Sequence, residues 1–325
     1  MIKKVPAEIR LDEINFANEE FRFSIGEPPK LLADSIKSYG VLVPPWVISH
    51  SDDPVGYRIL TGFRRLEAAK LLGLEKVLCL LIENYLSHRD LFLMALNERV
   101  GKRELNPAEK ALVVGKSEEL LGVEKSIRRV LPLIGLEPSE KIFAQYLAIS
   151  RLGKRVLEAL SRDEISQAAA LELTKVKEQG RKRIVEVVTT LGCSSSIQKE
   201  IVIFCREIAA REKIPVEEIF EDTEVEKILW NQELNRREKT ALVRDYLRKR
   251  RYPMLVKCER EFQEQLKNLS FPAGATIKAP QYFEGNRWTL EVVFRNEKEL
   301  REKISAIENV VKKENIAGLI NLSRG

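Results

Sequence analysis

Apolar residues recur along this chain in three different rhythms, and the changes of rhythm divide it. Between Ile9 and Ile82 the periods are mixed. Residues 31–39 carry the three-and-four spacing of a helix face and stop at Gly40, a residue free to take a left-handed cap conformation. Residues 44–48 and 57–60 are short β-rich runs. The Ser51-Asp52-Asp53-Pro54-Val55-Gly56 stretch between them is made of turn formers, which predicts two paired strands. Residues 65–72 then read as a helix closed by Gly73, and 77–82 as a further strand, so an α/β domain ends near Asn97.

From Pro107 to about Lys182 the period is helical throughout, with breaks at Gly122, at 135–138 and at Gly153. Helices continue over 197–211, 225–251 and 255–269. In the last of these, Leu255, Cys258, Phe262, Leu266 and Leu269 form a stripe suited to a core or a dimer seam. After Ser270 the rhythm becomes one of alternation. Residues 276–283 and 287–294, joined at Glu284-Gly285-Asn286, predict a hairpin with Trp288, Leu290, Val292 and Phe294 on one face. Pro280 confines the first of these strands to an edge or a bulge. Asn296 caps a final amphipathic helix running through Ile304, Ile307 and Val311. The expected architecture is α+β and multidomain: an α/β segment over 1–100, an all-α segment over 101–183, a helical region over 184–270 and a small ββα unit over 271–325.

Composition narrows the chemistry. The four cysteines are scattered and none forms a Cys-x-x-Cys pair, which predicts reduced thiols and neither zinc nor disulfides. Two histidines leave little for imidazole catalysis, and no metal ligands are assigned. No run approaches a membrane span, and the start, Met1-Ile2-Lys3-Lys4-Val5-Pro6, lacks a signal-peptide pattern, so a cytoplasmic protein is expected. The net charge of +6 is uneven: residues 101–183 hold 17 basic and 12 acidic side chains, against 13 and 14 in residues 1–100. Cations clustered in one segment suit a polyanion, since neutralising phosphates releases counterions; a solvated helical face is the plainer alternative.

Two stretches can carry such chemistry. Gly62-Phe63-Arg64-Arg65 follows a strand and opens a helix, where a glycine admits close approach, helix-start amides favour an anion and arginines supply forked donors. Residues 126–135 and 139–147 read as a helix-turn-helix, although Pro132 disturbs its first helix. Ser139 would cap the second helix and Phe143 and Leu147 would face the core. Glu140, Lys141, Ala144 and Gln145 are left outward, with Lys141 and Gln145 as base readers. Arg128, Arg129, Arg151, Lys154 and Arg155 supply basic contacts around them. The run Arg248-Lys249-Arg250-Arg251 either complements a helix C-terminus or touches DNA nonspecifically.

Three motifs in order, ending Gly40-Val41-Leu42-Val43-Pro44, then Thr61-Gly62-Phe63-Arg64-Arg65-Leu66-Glu67-Ala68-Ala69, then Leu105-Asn106-Pro107-Ala108-Glu109-Lys110-Ala111, resemble the ParB family of DNA-partition proteins over residues 8 to about 170. The resemblance implies an N-terminal domain of the ParB/sulfiredoxin-like fold binding CTP with magnesium, a helix-turn-helix binding a partition site on duplex DNA, and a C-terminal dimerisation domain. It also implies a nucleoid-associated homodimer that works with a partition ATPase. Its nucleotide site maps to Gly40, Pro44, Gly62, Arg64, Arg65, Glu98, Arg99 and Lys102. Three polar positions of that site depart from the family: Val43 stands where glutamine is usual, Phe63 where a metal-holding glutamate is usual, and Arg99 where asparagine is usual. Oxygen ligands for a hard cation are thereby lost, while the arginines retain affinity for phosphate, so CTP with or without magnesium is expected. Asp163 also stands where the family commonly has glycine.

Three functions compete at this level. The first is a dimeric, sequence-specific partition protein under nucleotide control, with residual CTP hydrolysis left open. The second is a transcriptional regulator of the same build that has lost nucleotide chemistry. The third is a phosphotransferase or nuclease activity of the N-terminal domain, for which residues 1–100 show neither a general base beside Arg64-Arg65 nor a carboxylate cluster, and no sulfiredoxin-type cysteine in the 62–65 turn.

Overall fold

The computed structural model describes residues 3–49, 56–82, 86–313 and 316–321; the predicted 51–56 turn, apart from Gly56, lies outside them. The chain divides into two compact units, residues 1–240 and 241–325.

The first unit opens with β1 (Lys4–Arg10) and β2 (Ile14–Asn15), followed by α1 (Lys30–Tyr39), β3 (Trp46–Ser49), β4 (Tyr57–Thr61), α2 (Phe63–Leu71), β5 (Lys76–Ile82) and α3 (His88–Val100). Its strands form one mixed sheet in the order β1-β5-β3-β4-β2. The predicted pairing of β3 with β4 is antiparallel, placing Val47 opposite Ile59. β1 went unread because Pro6 and the charged residues between Val5, Ala7 and Ile9 dilute its alternation. It is an edge strand paired only with β5, where a proline's missing N–H costs no ladder bond. Val47, Ile59, Leu60, Leu66, Ala68, Ala69 and Phe92 close the core between sheet and helices.

The helical part follows as α4 (Pro107–Leu121), α5 (Val123–Lys125), α6 (Leu131–Leu133), α7 (Glu140–Ser150), α8 (Lys154–Ser161), α9 (Gln167–Leu173), α10 (Glu178–Leu191), α11 (Ser195–Glu212), α12 (Thr223–Trp230) and α13 (Arg236–Arg251), the last belonging to the second unit from residue 241 on. The expected single helix over 126–135 is instead a π-helical stretch, Ser126–Val130, running into α6 with Pro132 in its first turn. Proline tolerates that position and no other in a helix, so the wide turn absorbs it. α7 packs on α4 at Gly115, where an added Cβ would lie 2.8 Å from the Ser150 hydroxyl.

At the end of α8 the Glu164 amide donates to the Ala159 carbonyl at 2.9 Å and the Asp163 amide to the Leu160 carbonyl at 3.3 Å. That is a Schellman cap, with Asp163 in its left-handed position at φ 57°. An aspartate tolerates this conformation less well than the glycine common there. Asp163→Gly should therefore stabilise the first unit by about 0.5–1 kcal/mol, read as a higher urea midpoint at unchanged slope.

The second unit holds α14 (Pro253–Asn268), β6 (Ala275–Lys278), β7 (Thr289–Val292), α15 (Glu297–Lys313) and α16 (Ile316–Asn321). Phe262, Leu266 and Leu269 of the α14 stripe join Ile277, Phe283, Trp288 and Leu319 in one core. β6 is shorter than the 276–283 run predicted: after Pro280 the chain enters a tight turn with Tyr282 and Phe283 at φ 57° and 58°. Of the residues placed on one face of the second strand, Leu290 and Phe294 are half exposed. None of the four cysteines, all among the described residues, is in a disulfide, and burial pushes the thiol of Cys79 up to about 11. Among the described residues no helix is long and apolar enough to cross a membrane.

Candidate functional site

The turn from β4 into α2 sets the first candidate site. Gly62 is its N-cap at φ 88°, and an added Cβ would lie 2.6 Å from Pro45. Only glycine fits there, and the turn brings Arg64 and Arg65 to the edge of a cleft of about 180 Å³. Glu98, Arg99, Lys102 and Arg103, from α3 and the segment after it, line the same cleft. Six of the eight residues assigned to a nucleotide thus gather in one place. Gly40 and Pro44 do not line it; Gly40 closes α1 at φ 70°.

Each cation in the cleft has a specific environment. Arg64 donates to the Ile25 carbonyl at 2.7 Å, and its buried Nε has no hydrogen-bond partner among the described residues. Burial pushes its guanidinium below the usual value; Glu109 opposes that shift, and the charges of Arg103, Arg99 and Arg22 add to it. Arg65 donates to the Val43 carbonyl, and burial lowers it as well. Lys102 pairs with Glu98. Arg99 reaches away from solvent and donates to Glu109 of α4 at 2.9 Å, joined by Arg103 at 2.6 Å. Phe63 is buried, with the Arg22 guanidinium 5.8 Å from its ring centroid.

These residues suit a phosphate better than a metal. Guanidinium forks and helix-start amides fit phosphate oxygens. Glu98 is the one carboxylate lining the cleft and is held by Lys102, and among the described residues no group of three His, Cys, Asp or Glu side chains is placed to hold an ion. Magnesium, which needs oxygen ligands, does not fit this set of side chains.

The second candidate is α7 with its flanks. Ser139 occupies the N-cap, but its hydroxyl takes no capping hydrogen bond. The core side is Phe143, Tyr146 and Ile149; Leu147, assigned to the core, is only half-buried, because the helix turns its stripe by one residue from the i, i+4 pair chosen. Glu140, Lys141 and Ala144 are exposed and Gln145 is half-buried. Arg128 and Arg129 are exposed on the π-helical stretch, with Arg128 3.2 Å from Glu124. Lys154 is exposed, while Arg151 lies 3.7 Å from Glu118 and Arg155 2.9 Å from Glu186. The Arg248–Arg251 run is engaged inside its own unit: Arg248 with Glu259 at 2.5 Å, Lys249 with Asp245 at 2.6 Å and Arg250 with the Tyr246 hydroxyl at 2.6 Å.

Residues 3–100 match the model of the ParB N-terminal domain. The chain is 30% identical over 215 residues to a probable plasmid-partitioning protein ParB of Thermus thermophilus, an alignment covering 57% of this chain and 69% of that protein. The chain belongs to the ParB family of partition proteins. A probable chromosome-partitioning protein ParB of Campylobacter jejuni is 28% identical over 205 residues, covering 63% of this chain and 68% of the relative. Among solved structures, C-terminally truncated ParB of Caulobacter crescentus complexed to the centromeric parS site is similar at 20% identity, covering 61% of this chain and 98% of that one with a TM-score of 0.33.

Residues that sequence reasoning missed are Arg103 and Glu109. The signal for Glu109 was present: Asn106-Pro107-Ala108-Glu109 is a capping box, with the Asn106 side chain accepting from the Glu109 amide at 2.9 Å and Glu109 accepting from the Asn106 amide at 3.2 Å.

Proposed function

We propose that this chain is a partition protein that recognises a specific duplex DNA site through α7, acts as a dimer, and takes a cytidine nucleotide in the arginine cleft. The observation that carries the DNA reading is α7 itself. Its apolar face is spent on the core while Glu140, Lys141 and Ala144 stay exposed, as a helix entering a major groove requires. Exposed Arg128, Arg129, Arg151, Lys154 and Arg155 nearby in sequence supply the phosphate contacts that hold such a helix in register. Family membership supports a role in segregating a chromosome or plasmid, alongside a partition ATPase and at the nucleoid.

Dimerisation is assigned to the second unit. Leu290 on β7 and Ile304 and Val311 on α15 are 48%, 46% and 54% exposed and line one groove with Val292 and Ile307. A second copy presenting the same face would cover it, and a two-fold dimer would place two α7 helices on two half-sites.

Fluorescence anisotropy with specific and scrambled duplexes tests the DNA reading. Lys141→Ala with Gln145→Ala should cost about 1–3 kcal/mol per base contact on the specific duplex and almost nothing on the scrambled one. Lys154→Ala with Arg155→Ala should weaken both equally and flatten the salt dependence by a slope of about one to two. Unchanged discrimination in the first variant would remove α7 as the reader.

A further inference from the structure

Glu109 is completely buried, yet both of its oxygens are committed. Oε1 accepts from Arg99 at 2.9 Å and Arg103 at 2.6 Å; Oε2 accepts from Arg103 at 3.0 Å and from the Asn106 backbone amide at 3.2 Å. The last of these bonds belongs to the capping box that starts α4, so one carboxylate both begins the helix and anchors two arginines. Those arginines line the cleft, and their side chains are 18% and 45% exposed while the Glu109 side chain is not exposed at all. A solute entering the cleft therefore meets the arginines and not their partner.

The cleft offers such a solute an excess of positive charge. Among the described residues, Arg64 has a buried Nε without a partner, and Arg64, Arg65, Arg99, Lys102 and Arg103 face a single lining carboxylate, which Lys102 already holds. A polyphosphate gains charge-assisted, forked hydrogen bonds from guanidinium groups, and these do the charge neutralisation that a divalent ion otherwise provides. Handing the arginines to the ligand leaves Glu109 buried with fewer partners. A buried, unpaired carboxylate is costly, and the cost is relieved when the first turn of α4 opens to water.

We infer that Arg99 and Arg103 form a latch on Glu109 that a polyphosphate in the cleft draws away without a divalent ion, loosening the start of α4. The inference rests on the nucleotide reading of the cleft and adds to it both the metal independence and the route to the helical part. By linkage, a partner that binds better when α4 is loosened must raise the affinity for polyphosphate by the factor by which polyphosphate raises its own.

The test uses the full chain, CTP and inorganic tripolyphosphate, each titrated calorimetrically with magnesium and with EDTA, together with amide hydrogen exchange over residues 106–112. CTP affinity should change by less than about threefold on chelation, and exchange over 106–112 should speed up by about tenfold at saturation, the size of an ordinary coupling. Glu109→Gln keeps a capping-box side chain but not the charge; it should bind both ligands about tenfold more tightly and show no ligand-dependent exchange. Arg99→Asn should lose tripolyphosphate binding. CTP binding that disappears in EDTA, or exchange over 106–112 that stays constant while the ligand binds, overturns the latch but leaves the nucleotide reading standing. No binding of either ligand in any condition overturns that reading and the latch with it.

Discussion

Replacing Phe262 with alanine should unfold the second unit. The ring is 6% exposed on α14 and sits between two other aromatics, with centroids 5.6 Å from Phe283 in an edge-on contact and 5.7 Å from Trp288. Truncating a buried phenylalanine costs about 3–5 kcal/mol, and the two aromatic contacts, each worth about 0.5–1.5 kcal/mol beyond buried area, place this one toward the upper end. Phe262, Ile277 and Leu319 are the buried residues of this core, with Trp288 and Phe283 only partly covered, so little remains to fill the cavity. Domains are stable by about 5–15 kcal/mol, and this small core belongs at the lower end. Urea unfolding followed by tryptophan emission should lose one transition, and light scattering should show the variant as a monomer if the face of β7 and α15 makes the dimer. A change below about 1 kcal/mol would mean that the core lies elsewhere.

The second large effect concerns Glu109→Ala. It removes the reciprocal half of a capping box, the Asn106 side chain still accepting from the residue 109 amide, and the carboxylate on which Arg99 and Arg103 converge. Breaking a buried pair costs about 3–5 kcal/mol when the surviving charge stays buried. Here the survivors are arginines that can turn toward solvent, so we expect a total near 3 kcal/mol in guanidinium unfolding. Glu109→Gln should cost about 1 kcal/mol less, because the amide still accepts the Asn106 N–H. Equal effects of the two substitutions would mean that the cap contributes nothing.

Much of the fold was legible where the sequence pattern and the local physics agree. The β3–β4 pair, α1 with its Gly40 cap, and α7 within a residue or three of its ends all follow from apolar period and turn chemistry. What escaped depends on tertiary partners. β1 has too few apolar residues to declare itself and exists because β5 offers an open edge. The π-helical stretch before α6 is how the chain accommodates Pro132, which sequence alone marks only as a disturbance.

The cleft shows the same division. The Gly62-Phe63-Arg64-Arg65 turn was readable from residue types, and the gathering of Glu98, Arg99 and Lys102 beside it was readable from family resemblance. That Arg99 is already paired was not, since its partner lies ten residues onward in another helix. Loss of an asparagine there suggests a retired metal site; the geometry instead gives the arginine a buried carboxylate and the cleft a second use for it.

The most direct test of the account is selection of binding sites by the full-length protein from a pool of random duplexes at physiological salt. Recognition through paired α7 helices predicts enrichment of one inverted repeat, its half-sites about one helical turn or a multiple of it apart. The enrichment should vanish when Lys141 and Gln145 are both alanine. A pool that binds but yields no preferred sequence would contradict sequence-specific recognition and reduce the basic segment to a nonspecific polyanion surface.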